Sequence, residues 1–249
     1  MGATKLRVLC LHGWRTNAKI LKMQSDGLRQ ALGPRGAEFF YLDAPFLATG
    51  PAQEIIRTLF ENEAPFFQWW DATKRDTSKD AEPDTRDGKV RSVYSYDGLE
   101  HTLDFLMGQI HQLGPIDVLL GFSQGAALVT VMNAHYKKTY GSAPPWKACV
   151  LVAGFEPRSV ETKHLMEDMF GNPVQLDIPS IHVLGTADSM FGQSERLFER
   201  YAGDEKGLKK LKFVHDEGHK FPTPSRHKAL YADIATALVD IAGSKQSFM

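Results

Sequence analysis

The sequence predicts an α/β architecture: a mainly parallel sheet of about six strands with helices on both faces. Three observations carry this. Short apolar runs bounded by turn residues recur along the chain, the runs are apolar throughout instead of alternating, and helical patterns lie between several of them. The runs are 6–11, 37–42, 116–120, 148–152, 180–184 and 211–214. A strand covered on both faces needs an apolar side chain at every position, so each reads as an interior strand of a parallel sheet.

The clearest helix places Leu99, Leu103, Leu106, Ile110 and Leu113 on one face before Gly114-Pro115 stops it. A similar stripe, Leu230, Ile234, Leu238 and Ile241, ends at Gly243 and closes the chain with a helix packed on the sheet. With 249 residues, 43% of them apolar and 24% charged, a single domain over 1–249 is expected. The stretch from about 45 to 94 reads as an inserted region. It carries an aromatic cluster, Pro65-Phe66-Phe67-Gln68-Trp69-Trp70. It continues into 71–92, crowded with both signs of charge, where Val90 is the only large aliphatic residue. An exposed, mobile loop is expected there.

Composition excludes several classes. A formal net charge of -1 with no long basic run lacks the electrostatic footprint for nucleic acid or anionic membranes. The start reaches a strand-like run at once, without a secretory pattern, so no stable membrane anchor and a cytoplasmic location are expected. Gly2 suggests myristoylation, but Leu6 stands where that motif needs Ser or Thr. Cys10 and Cys149 sit inside apolar runs and read as buried, reduced thiols.

Gly121-Phe122-Ser123-Gln124-Gly125 follows a strand directly and precedes the helical pattern of Ala126, Ala127, Leu128 and Val129. That is the setting of a nucleophile elbow, where strand and helix backbones approach so closely that small residues must flank the serine. The spacing alone arises by chance in about one chain in ten; the strand before and the helix after make it specific. Near the start, Leu11-His12-Gly13-Trp14 ends the first strand in a turn. An oxyanion hole would then use the backbone N–H groups of Gln124 and Trp14. His12 reads first as a strand-end residue packing this loop, with a substrate contact as the alternative.

The acid should follow a later strand. Gly185-Thr186-Ala187-Asp188 puts Asp188 just past a strand's carboxyl end, although a helix N-cap is its local alternative. Asp177 and Asp216 are the other acids near late strands; one precedes its strand, and the other lies three residues before the histidine it would have to orient. For the base, His219 follows Gly218, which lets the loop turn back over the sheet, whereas His215 lies too close to the strand. The i, i+4 spacing of His215 and His219 also fits a helical zinc pair, but Gly218 and the loop context argue against it.

On these residues the chain resembles the FSH family of serine hydrolases. The shared features are Leu11-His12-Gly13-Trp14 with Asn17, Asp43-Ala44-Pro45, Trp69-Trp70, Gly121 to Ala127, Gly185 to Asp188, and Gly218-His219-Lys220-Phe221-Pro222, in the family's order. The resemblance implies an α/β-hydrolase fold, a Ser123–His219–Asp188 triad, and a variable region that shapes the acyl site. Family members include long-chain carboxylesterases and thioesterases that release fungal polyketides.

The expectation is therefore a serine hydrolase that cleaves small-molecule carboxylic esters of medium or long acyl chain through an acyl-enzyme, without metal or organic cofactor. Thioesters of an acyl carrier or coenzyme A are the alternative. Acyl-protein thioesterases share the G-F-S-Q-G elbow but not the Trp-Trp insertion. A hydrolase fold that only binds a ligand is the rival from another class; covalent labelling by a fluorophosphonate separates it. Phe66, Trp69, Trp70, Phe122 and Phe221 are candidate substrate contacts, and whether the 66–70 cluster lines an apolar groove or forms plain core is open at this level.

Overall fold

In the computed structural model, which describes residues 5–75 and 92–243, the apolar runs assemble into one sheet. The chain opens with β1 (Leu6–Leu11), α1 (Ala18–Gln24), α2 (Asp26–Leu32) and β2 (Ala37–Leu42). It continues through β3 (Phe46–Leu47), α3 (Glu54–Phe60), β4 (Phe67–Gln68), β5 (Asp71–Lys74), β6 (Tyr94–Asp97) and α4 (Leu99–Leu113). Then come β7 (Val118–Phe122), α5 (Gln124–Tyr140), β8 (Ala148–Val152) and α6 (Val160–Met166). The last elements are β9 (Ser180–Gly185), α7 (Phe191–Glu199), β10 (Lys210–His215) and α8 (Lys228–Gly243). The sheet order is β10-β9-β8-β7-β1-β2, with every pairing parallel.

Period-two geometry explains why the strands are apolar throughout. Leu9, Leu11, Leu119, Cys149 and Leu151 face one layer, packing with Leu103 and Leu106 of α4 and Leu128 of α5. Val8, Cys10, Val118, Leu120, Val150 and Val152 face the other, against Leu28 of α2 and Ile234 and Leu238 of α8. Fully burying each such side chain contributes about 1.5–3 kcal/mol, so the two layers supply most of what holds the sheet.

This order also places the site. From β1 the chain goes outward to β2, and β7 then joins on the opposite side of β1. Such a reversal opens a crevice at the carboxyl ends of the two flanking strands, where parallel sheets gather their functional groups. The loop after β1 and the turn after β7 both end there.

Two expectations need correction. The strand expected over 116–120 runs over Val118–Phe122, because Gly121 and Phe122 pair with Leu151 and Val152 of β8. That partnership is invisible in a local apolar count. The charged stretch expected to be loop from 71 onward begins as a strand, β5, paired antiparallel with β6 from Asp71↔Asp97 to Lys74↔Tyr94. The rest of that stretch, 76–91, lies outside the described residues. Among the described residues no helix is long and apolar enough to cross a membrane.

Candidate active site

Ser123 sits at the sharp turn between β7 and α5 with φ 52° and ψ -113°, a left-handed conformation unusual for a side chain with a Cβ. Its N–H donates to the Val152 carbonyl at 3.0 Å, while its own carbonyl receives Ala126 N–H and Ala127 N–H. The turn is possible only because the residues two positions away on either side lack side chains. A Cβ at Gly121 would lie 2.4 Å from the backbone of Gly125 and Ala126, and one at Gly125 would lie 2.1 Å from the Leu11 carbonyl oxygen.

Across the crevice the loop after β1 packs onto the elbow. A Cβ on Gly13 would stand 3.0 Å from the Phe122 ring and 3.5 Å from the Ser123 Cβ, so this loop lies directly against the serine. The structure thus puts Trp14 on the loop that abuts the elbow and Gln124 at the first position of α5.

The other half comes from β9 and β10. Asp188 leaves β9 through a turn in which its N–H donates to the Gly185 carbonyl at 3.1 Å. The His219 loop lies over this turn: a Cβ at Gly185 would be 2.3 Å from the Glu217 carbonyl oxygen, and Thr186 and Ala187 donate to the carbonyls of His215 and Glu217. His219 reaches 2.7 Å from Asp188 Oδ2 with Nδ1 and 2.8 Å from Ser123 Oγ with Nε2. A carboxylate only accepts, so Nδ1 carries the proton and Nε2 is left to accept the serine hydroxyl. The N-cap alternative for Asp188 does not hold, because α7 is capped at Met190 without a side-chain bond; the other Asp188 oxygen accepts Met190 N–H at 2.8 Å in the turn before the helix. Ser123 and Asp188 are buried, while the His219 side chain is 21% exposed. Phe122 packs its ring 5.4 Å from that of His219 and 5.4 Å from that of Phe221.

A family model described as serine hydrolase FSH1 matches residues 1–231. The chain belongs to the FSH1 serine hydrolase family. Esterase OVCA2 of Homo sapiens is 31% identical over 232 residues, covering 91% of this chain and 93% of the relative. Esterase OVCA2 of Danio rerio is 28% identical over 241 residues, 94% of this chain and 97% of the relative. In fold, the chain is similar to acyl-protein thioesterase 2 of Zea mays at a TM-score of 0.56 with 20% identity, covering 95% of each chain. The fold is that of the α/β-hydrolases, as the sequence predicts.

For several residues of this FSH1 family chain the structure bears on readings that the sequence left with two alternatives. His12 is fully buried and touches no open surface: its Nδ1 donates to the Gly13 carbonyl at 2.7 Å and its Nε2 accepts Ala44 N–H at 3.1 Å. Burial pushes its pKa down to about 4 and keeps it neutral. These contacts support the packing role that the sequence gives His12 first, over the alternative of a substrate contact. Trp69 and Trp70, left open between groove and core, are core residues at 0% and 1% exposure. They lie between β4 and β5, outside either ladder, and both pack in the core layer that holds Leu103 and Leu106 of α4 and Leu9 and Leu11 of the sheet. Phe66 joins a separate small cluster with Ile20, Ala52 and Ile56, while Phe122 packs against His219 and Phe221 against Phe122.

The cysteines are buried and free, and burial pushes the Cys149 thiol up to about 12 and Cys10 higher still. His215 groups with Glu217 and His227, not with His219. Its Nδ1 accepts Glu217 N–H at 3.3 Å, which leaves the proton on Nε2, and Glu217 already binds Arg226 at 2.9 Å and Thr223 N–H at 2.7 Å. That donor set suits a structural polar knot better than a metal. Sequence reasoning missed Glu217, whose only signal is a carboxylate two residues before His219, and it missed the side chain of Gln124.

Proposed function

We propose that this chain hydrolyses carboxylic esters through an acyl-enzyme on Ser123. The carrying observation is the unbroken hydrogen-bonded row from Ser123 Oγ through His219 to Asp188, at 2.8 and 2.7 Å. In this reading His219 Nε2 takes the hydroxyl proton as Oγ attacks the ester carbonyl carbon. The carbonyl oxygen becomes an oxyanion held by the N–H groups of Gln124 and Trp14. Collapse expels the alcohol, which leaves with the proton that His219 returns. Water, deprotonated by the same imidazole, then attacks the acyl carbon and frees the carboxylic acid together with Ser123. Asp188 holds the working tautomer and stabilises the imidazolium that forms at each step.

Every part of that cycle needs only a carbonyl with an oxygen or sulfur leaving group, so thioesters fit the same array. With Trp69 and Trp70 in the core, the aromatic argument for a medium or long acyl chain falls away, and the proposed substrate class is a carboxylic ester without a stated chain length. Ser123→Ala should abolish fluorophosphonate labelling and hydrolysis of p-nitrophenyl esters from two to sixteen carbons, while the thermal midpoint stays within a few degrees. Labelling at another serine, or turnover in Ser123→Ala, would overturn the assignment. Acyl-coenzyme A thioesters run beside the ester series decide the leaving group.

A further inference from the structure

The two N–H groups assigned to the oxyanion hole belong to chain segments far apart in sequence, one after β1 and one after β7. Their separation must hold to a fraction of an ångström, because a misplacement of about 1 Å can cost a hundredfold in rate. One dipeptide, Trp69-Trp70, is bonded to both segments. The indole N–H of Trp69 donates to the His12 carbonyl at 2.8 Å, and its ring lies 5.1 Å from that of His12. Its backbone N–H donates to Gln124 Oε1 at 3.2 Å, and Gln124 Nε2 donates to the Trp70 carbonyl at 3.0 Å. Both ends of the Gln124 amide are thus taken by one dipeptide, on the residue that immediately follows Ser123. The dipeptide is itself anchored: Thr102 Oγ1 donates to the Trp69 carbonyl, and Trp70 stacks on Tyr96 at 4.8 Å.

Burying a core tryptophan needs one partner for its indole and nothing more. A buried glutamine beside the nucleophile is costly unless both ends of its amide are satisfied, and an apolar side chain would fill the space without that demand. In a site shielded from water these bonds are strong and directional, so they transmit position. We propose that Trp69, acting with the Gln124 side chain, is a positioning element of the oxyanion hole, a brace that holds the loop carrying Trp14 against the helix start carrying the Gln124 N–H. It rests on the acyl-enzyme reading above and adds to it which residues set the geometry of the hole. Neither residue donates to the substrate through its side chain; both act on the backbone donors.

Trp69→Phe keeps a ring and removes the donor to His12, whereas Gln124→Met keeps the backbone N–H and removes both bonds to the dipeptide. Rates are taken per active site, counted by fluorophosphonate titration, on one soluble p-nitrophenyl ester. Each variant should lose about ten- to a hundredfold in kcat with KM within threefold, since the hole acts on the transition state. Affinity for a trifluoromethyl ketone, which forms a serine-bound oxyanion, should fall by the same factor as kcat/KM. Trp146→Phe is the control for a lost core indole bond, because Trp146 Nε1 donates to Asn133 Oδ1 at 2.8 Å in the core layer around α5. It should lower the thermal midpoint and leave kcat within twofold.

Wild-type kcat in both variants, a rise in KM alone, or an equal kcat loss in Trp146→Phe would overturn the brace. If Trp69→Phe does not fold, Gln124→Met decides; if neither folds, the dipeptide is a folding element and the proposal fails. A wild-type chain that takes no fluorophosphonate label would instead refute the acyl-enzyme reading, which separates the two failures.

Discussion

Around Ser123 the backbone does the positioning: Gly121 and Gly125 let strand, helix and neighbouring strand touch, and the surrounding side chains are buried, the polar ones among them, His12 and Gln124, being hydrogen-bonded inside the core. Around His219 the loop is held by polar contacts instead. Glu217 receives Thr223 N–H and pairs with Arg226, Asp216 pairs with Arg226 at 2.6 Å, and the Arg226 side chain is 56% exposed. The serine half therefore rests on packing, which solvent does not screen, and the histidine half on partly exposed ion pairs, which it does. Ser123 is thus built into the packed layers of the sheet, while His219 is carried on a loop whose side-chain anchors are partly exposed to solvent.

The sharpest way to break that contrast is to place the same lesion in each half. In Gly125→Ala the new methyl would meet the Leu11 and His12 carbonyls at 2.1 and 2.7 Å, inside layers that cannot move apart. No folded protein is expected, judged by circular dichroism and a missing thermal transition. In Gly185→Ala the methyl would meet the Glu217 and Gly218 carbonyls at 2.3 and 2.6 Å, on a loop that can lift. That variant should fold and lose at least tenfold in kcat. Equal destabilisation of the two would abolish the distinction.

Next in size is the acid. Asp188→Asn keeps the shape but favours the tautomer that presents the wrong nitrogen to Ser123, a change worth about ten-thousandfold in the serine-protease template. A fall of at least a hundredfold in kcat is expected, with little change in thermal midpoint. Asp216 pairs with Arg226 and sits 3.2 Å from His227, and Asp177 pairs with Lys137 and Lys206. Their Asn variants should stay within about tenfold of wild type. Near-normal turnover in Asp188→Asn, measured beside the other two on one ester, would show that the wrong acid has been named.

The smallest effect concerns acid stability of the packed half. Burial lowers the pKa of His12 to about 4 and of His182, buried in β9 beside Ser180, to about 3. In the unfolded chain both take a proton near pH 6.5, so between that value and the folded ones the unfolded state binds more protons. Stability is thus untouched by them above about pH 6.5 and falls as pH drops through 6 to 3, by about 1.4 kcal/mol for each unit of pKa difference crossed. Urea midpoints at pH 7 and pH 4.5 should differ less for His182→Gln than for wild type. An identical difference would show that other groups drive the acid transition.

The sequence by itself determined the elements whose signal is local. Apolar runs marked the six strands because burial on both faces requires an apolar residue at each position, and the spacing from Leu99 to Leu113 marked α4. Gly121 and Gly125 marked the elbow because no other residue fits where two backbones touch. The same reasoning brought Ser123, Asp188 and His219 to notice by chain order, and the structure brings them within hydrogen-bonding distance.

The remainder depends on which faces meet, and that is fixed only once the chain has folded. Trp69 bonds across 57 positions to His12 and across 55 to Gln124, and a pair of aromatic residues looks the same in sequence whether it lines a groove or fills a core. The ends of β7 depended on its partner β8, the charged start of β5 on a ladder with β6, and the fate of His12 on a backbone N–H from Ala44. Burial is a property of two surfaces together, and a sequence states only one of them.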